Sequence, residues 1–374
     1  MIVGHFLNWA ETAPAAARAV AAAALARAYC GSALSFEDRC ATEAALTLLL
    51  DDPSAKVRAA MADALSMSRH APPQVIGALA ADQPDVAAPV IARSPLLSDG
   101  DLVDRVALGG LAVQILVARR PSVSMSVSAA LAEVGEAEAC QALIRNDGAA
   151  VASVSLRRIT ERFAHLPALR EALVADPRLP PECRHMLVLA LSQAFRQSPL
   201  VSALIGGGRT ERVLRDACVK SSLTLIEATD PAEHPALVEH LRLQGELTSA
   251  FILRAVALGR IDFFGAALAA LSSQALPRVR ALLAGGQDGA LFALFGRAGL
   301  AASTHAVIGR ALKIWREVAL GRRVAGVQEV SFAMLEALGG LRAEGQLATL
   351  LKAIHFDALR ENARAHARAV AEAA

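Results

Sequence analysis

Helices stacked in pairs into an all-α superhelix, a solenoid in two parts, are the fold this sequence predicts, and three observations predict it. Hydrophobic residues make up 54% of the 374-residue chain but aromatic ones only 4%. Alanine dominates the remainder, which suits helices packed closely through small side chains rather than a core of large rings. Apolar residues recur on a 3.6-residue period in segment after segment. Finally, valines opening comparable stripes, Val57, Val86, Val123 and Val151, are spaced 29, 37 and 28 residues apart, inside the range of helix-pair repeats though not a strict period.

The clearest unit is Leu48 to Leu65, LLLDDPSAKVRAAMADAL. Asp52 is placed to cap a helix by accepting from free first-turn amides, and Pro53 supplies a preset φ at the first helical position. Val57, Ala60, Met61, Ala64 and Leu65 then draw one apolar stripe, with Arg58 beside it; Val57 and Leu65 are expected in the inter-repeat core. Aspartate, proline, Val-Arg, alanines and leucine in this order resemble the second helix of a HEAT-like repeat, and that resemblance implies a ladder contact for Asp52 and Arg58.

A looser copy follows at Ala78 to Arg93, with Asp82 ahead of Val86 and Ala87 where the first unit has arginine. Pro89 intrudes, and a proline deep in a helix costs about 3 kcal/mol, so the expectation is a shortened, kinked or later-starting helix. Val106 to Ala118 reads as one buried helix. Ser122 is a candidate cap for a helix carrying Val123, Val127, Leu131 and Val134 on one face, and after the turn at Asn146-Asp147-Gly148 come Ala152, Leu156, Ile159 and Phe163. The run around Ser198, Pro199 and Gly206-Gly207-Gly208 is the best break between halves, giving repeats over 1–198 and 209–374. Beyond it, three clean stripes are Phe264-Ala267-Leu268-Leu271, Leu291-Leu294-Phe295-Ala298 and Ile308-Leu312-Trp315-Ala319. Glycines at 245, 259, 285–286, 299, 321 and 339–340 stand where helices should stop. A long final helix from Gln346 loses its apolar residues after Leu359, as a polar capping helix would.

Longer phrases carry a resemblance over most of residues 40–320. SPLLSDGDLVDRV, LIRNDGAAVASVSLRRITERF with DPRLPPECR, and LVEHLRLQGELTSAFILRAVALGRIDFFGAALAALSSQALPRVRALL are similar to a family of uncharacterised bacterial HEAT-like helical proteins, a domain of unknown function. The resemblance implies a fold and a cytoplasmic setting and transfers no catalytic residue.

The chemistry-bearing residues point away from most function classes. Val106 to Ala118 lies between Arg105 and Arg119 and is too short for the roughly 20 residues a bilayer crossing needs, and the alanine run over Ala13 to Ala28 contains Pro14, Arg18 and Arg27, which makes a poor signal peptide. Five scattered cysteines, at 30, 40, 140, 183 and 218, with no CxxC pair argue against a disulfide framework or zinc site and fit a reducing cytoplasm. A net charge of +2 and pI of about 8.4 fall short of a dedicated nucleic-acid binder. No HExxH, GxSxG, GxGxxG or phosphate-binding loop is found, so neither a cofactor nor a metal is expected, and no catalytic residue is assigned.

Several weaker constellations have both a packing and a functional reading. His234 with Glu239 and His240 spreads over different sides of a helix, and Cys183 with His185 lacks a third orienting group. Gly206 to Thr210 can offer backbone amides to an anion or serve simply as a turn. Phe263 points away from the Phe264 stripe, either into the next repeat or onto a surface. The arginine pairs Arg119-Arg120, Arg157-Arg158 and Arg322-Arg323 are the candidate binding surface. Consecutive helical residues point about 100° apart, so each pair should aim one guanidinium at solvent and one along a neighbouring repeat. The expected activity is that of a non-catalytic cytoplasmic scaffold binding another protein. The alternative is nucleic-acid binding by these arginines on a concave face.

Overall fold

The structure is a computed structural model that describes residues 9–10 and 12–373. Among these residues it holds 22 α-helices, two short 3-10 turns and a single isolated parallel bridge between Val123 and Ala149. Contacts divide the chain into two units, Met1–Leu187 and Val188–Ala374.

Unit 1 runs α1 (Ala15–Gly31), α2 (Phe36–Leu48), α3 (Ala55–Leu65), α4 (Pro73–Ala80), α5 (Pro84–Arg93), α6 (Asp99–Leu108), α7 (Leu111–Ala118), α8 (Met125–Val134), α9 (Ala137–Ile144), α10 (Ser153–Phe163), α11 (Pro167–Ala175) and the start of α12 (Pro181–Arg196). Each odd-numbered helix from α1 to α9 packs on the odd-numbered one after it, and α6, α8 and α10 follow one another in the same way. Val57, Met61 and Leu65 of α3 are wholly buried in the core so formed, as are Val86 and Val90 of α5.

Helix starts differ from expectation by about one step of cap chemistry. The N-cap position of α3 is held by Ser54, whose side chain makes no capping hydrogen bond, and the Asp52 carboxylate accepts from the Ser54 amide at 2.8 Å in a turn ahead of the helix. Likewise Ser124, not Ser122, accepts from Val127 N at the start of α8, and Val134 at its far end is exposed. The expected single helix over Val106 to Ala118 is two: α6 stops at Leu108 and α7 begins at Leu111, separated by Gly109-Gly110. A Cβ at Gly109 would lie 2.5 Å from the Arg105 carbonyl oxygen, which is why glycine stands at this close approach. Pro89 sits inside an uninterrupted α5. The carbonyl it leaves without a donor belongs to Asp85, an exposed first-turn residue with access to water.

Side chains cross between helices that are far apart in sequence. The Arg18 guanidinium donates to both Asp52 oxygens at 2.7 and 2.9 Å, and Arg58 does the same to Asp82 at 2.6 and 3.0 Å while its Nη1 donates to the Asp52 carbonyl. Asp52 and Arg58, expected to share a ladder contact, have Arg18 and Asp82 as their guanidinium and carboxylate partners, and between the two Arg58 reaches only the Asp52 carbonyl. Where Arg58 has no counterpart, other residues close carbonyls at a preceding helix end. Arg120 donates to Ile91 O and Ser94 O, Asn146 to Ala118 O and Arg120 O, and Arg162 to Ala132 O and Gly135 O. The last carbonyls of a helix lack intrahelical donors, so each bridge satisfies groups that are otherwise left open.

These pairs make a pH prediction. The Arg18 guanidinium, with the Ser54 amide, holds the Asp52 carboxyl below the usual carboxylate range, and Arg58 does the same for Asp82. A carboxyl depressed in the folded chain contributes stability that is present above its unfolded pKa near 4 and is lost as pH falls through the folded value. The midpoint of urea unfolding should thus drop on acidification below about pH 4, and Asp52→Asn with Asp82→Asn should flatten that drop. Equal slopes for the two chains would refute the assignment.

Unit 2 comprises the rest of α12, α13 (Pro199–Ile205), α14 (Gly207–Ala228), α15 (His234–Leu243), α16 (Ser249–Ala257), α17 (Ile261–Ser272), α18 (Leu276–Gly285), α19 (Asp288–Arg297), α20 (Ala302–Ala319), α21 (Val327–Glu336) and α22 (Gln346–Ala373). The glycine run at 206–208 is mostly helical: Gly206 alone takes a positive φ, of 81°, and Gly207 opens α14. Phe264, Ala267, Leu268, Leu291, Leu294, Phe295, Ile308 and Leu312 are buried as their stripes require, and Ala319 is exposed at the end of its stripe. Gly245, Gly259, Gly299, Gly321 and Gly339 follow helix ends with φ between 68° and 101°, a conformation that favours glycine. In α22 every residue from Arg360 to Glu372 is exposed.

Candidate functional site

The arginine pairs behave differently from one another. Arg119 ends α7 exposed, whereas Arg120 is 8% exposed and turned back onto the end of α5. That pair divides as its geometry predicts, and the division takes Arg120 off the surface. Arg157 and Arg158 are both exposed on α10 but face opposite neighbours: Arg157 meets Glu182, and Arg158 grips both oxygens of Glu133 at 2.8 and 2.9 Å. In unit 2, Arg323 pairs with Glu317 and Glu329, while Arg322 is exposed with no side-chain partner among the described residues. Of the six, only Arg119 and Arg322 carry a charge not already met by a carboxylate or a carbonyl.

The weaker constellations resolve into packing. Burial pushes the Cys183 thiol up to about 11, and Cys140 likewise to about 11, so neither is a thiolate at neutral pH. Phe263 is wholly buried, with its ring edge-on to Phe251 and His234 at centroid distances of 6.1 and 5.8 Å. His234 lies buried in the same cluster, and among the described residues no group of His, Cys, Asp and Glu gathers as a metal would require. At Gly206 the backbone enters α14, and Thr210 Oγ1 donates to the Gly206 carbonyl at 3.0 Å.

A groove in unit 2 is the site that sequence reasoning missed. It encloses about 520 Å³ between α14, α16, α21 and α22. Leu223, Leu258, Ile354 and Ala358 floor it, and Lys220, Glu227, Arg254, Arg260, Asp357 and Glu361 rim it. Glu227 pairs with Arg260, Asp357 lies 3.7 Å from Lys220 and 3.6 Å from Arg360, and Glu361 lies 3.5 Å from Arg364. Arg254 is the exception, half-buried and with no side-chain hydrogen bond or ion pair among the described residues. The signal for it was present in the sequence: a lone charge within the apolar run AFILRAVAL, Ala250 to Leu258.

With this geometry in view, comparison with known families places the chain. A family described as uncharacterised protein conserved in bacteria (DUF2336) matches residues 86–348. The chain belongs to this family. The DUF2336 match reaches further toward the C-terminus than the resemblance over 40–320 and begins later, at Val86, so it leaves out the Arg18–Asp52 bridge. It takes in all six paired arginines and Arg254 and stops ahead of Asp357 and Glu361. No curated protein and no solved structure matches the chain. Among the described residues no helix is long and apolar enough to cross a membrane.

Proposed function

We propose that the chain is a non-catalytic scaffold of the cytoplasm, a HEAT-like superhelix of helix pairs in two parts that binds another protein. The observation that carries this reading is the set of side-chain bridges between helices one repeat apart: Arg58 to Asp82, 24 residues on, and Arg120, Asn146 and Arg162 to carbonyls 26 to 30 residues back. Unit 2 repeats the device, with Arg316 donating to Leu282 O, Leu283 O and Gly286 O at the end of α18. Bridges of this kind fix each helix against its neighbours, so outward positions vary without disturbing the core, and such stacks present extended binding surfaces. Five free cysteines suit a reducing compartment.

The nucleic-acid alternative needs free guanidiniums gathered on one face. Arg120 is buried and Arg157, Arg158 and Arg323 are already paired, which favours the protein-binding reading. The test is to immobilise the full chain, pass nuclease-treated bacterial lysate over it and identify retained proteins, alongside titration of a fluorescent DNA duplex. A discrete protein retained by the wild type and weakened by Arg119→Glu with Arg322→Glu is the expected result. Duplex binding whose affinity falls with salt at a slope of several phosphates would overturn it.

A further inference from the structure

Helix α16 has α17, α20, α21 and α22 all packed on it. From Phe251 to Ala257 every residue but Arg254 is buried. Arg254 and, one turn on, Leu258 form the line along which this apolar helix opens to the groove. A guanidinium held there loses part of its hydration, and a loss of that kind is offset when an anion takes two of its N–H donors. The chain supplies no such anion among the described residues, because Glu227, Asp357 and Glu361 are each held by a different cation. Among the described residues Arg254 is thus the charged group of the lining without a side-chain counter-ion, and it stands above an apolar floor.

The same rim selects among anions. A phosphate monoester brings a second charge for which the described lining holds no further unpaired cation, so it is disfavoured against a carboxylate. A volume of about 520 Å³ falls within the range of small-molecule sites, which are mostly apolar with a few placed polar groups. The geometry points to a binding site for a free monocarboxylate with an apolar body, its carboxylate gripped by Arg254 and its hydrocarbon laid on Leu223, Leu258, Ile354 and Ala358. This site is separate from the scaffold reading and stands or falls without it.

Calorimetric titration of the full chain with octanoate, octanamide, octyl phosphate and a blocked peptide carrying one glutamate among leucines tests the assignment. Octanoate should bind, with octanamide at least about tenfold weaker because it cannot form the charge-assisted pair, and octyl phosphate weaker than octanoate. Arg254→Gln should lower octanoate affinity at least about tenfold and leave octanamide unchanged. Absence of octanoate binding, or octanamide binding as tightly on the wild type, would overturn the site, and this comparison needs no variant to fold. Tighter binding of octyl phosphate would overturn the choice of anion. Binding of the peptide in place of octanoate would make the groove a docking surface instead.

Discussion

Replacing Phe263 by alanine is expected to destabilise unit 2 by about 3–5 kcal/mol, the range for removing a fully buried phenylalanine. The reason is local. Phe263 is 0% exposed on α17, with Phe251 of α16 meeting it at 69° and His234 of α15 at 80°, both edge-on. Leu237, Val238 and Leu241 complete the cluster. Truncation loses the transfer energy of the ring and two aromatic contacts worth about 0.5–1.5 kcal/mol each. It also leaves a cavity whose walls come from three helices and cannot close by a single rotamer change. Phe263→Leu should recover a large part of the loss. Urea unfolding read by Trp315 fluorescence, with Trp9 replaced by Phe, measures both. A loss under about 1 kcal/mol for the alanine variant would show that Phe263 does not anchor the α15–α17 packing.

Phe263 also marks how far sequence reaches. Periodicity finds the buried stripes because burial on a helix face follows spacing alone; Phe264, Leu268, Phe295 and Leu312 all lie where it puts them. It leaves Phe263 ambiguous, since a residue off the main stripe is buried only if another helix arrives on that side, and α15 and α16 do. Caps are harder than stripes. Asp52 and Ser54 both have side chains that can accept a backbone N–H, as do Ser122 and Ser124, and the choice between them depends on where the preceding chain is tied down. At Asp52 it is tied by Arg18, 34 residues away. The Gly109-Gly110 break was hidden by the surrounding apolar residues, which suit one buried helix as well as two. Arg254 is a lone charge in an apolar run, a pattern visible in the sequence. That it is left over is not visible, because the pairing of Asp357 with Lys220, or Glu227 with Arg260, is set by tertiary packing.

The neighbouring arginines of α7 give the sharpest contrast, since residue type is identical and environment is not. Arg120→Ala is expected to destabilise the chain by about 2–4 kcal/mol, whereas Arg119→Ala should stay within about 0.5 kcal/mol of wild type. Arg120 donates to Ile91 O and to Ser94 O at 2.7 Å, closing the end of α5 from 26 to 29 residues away. Its own carbonyl accepts from Asn146 at 2.8 Å, so a shift there passes to the turn after α9. Two carbonyls left without donors in an enclosed position cost about 1–3 kcal/mol each, and relief of the guanidinium's desolvation returns part of that. That desolvation is real: burial draws the Arg120 pKa below its ordinary value, against the pull of the Asp99 charge. Arg120→Lys should not rescue fully, because one ammonium cannot span two carbonyls as the planar fork does. Arg120→Met keeps the aliphatic stem and separates packing from capping. If denaturation midpoints place Arg120→Ala beside Arg119→Ala, the guanidinium is not what joins the end of α7 to α5, and the side-chain bridge between these helices carries no stability.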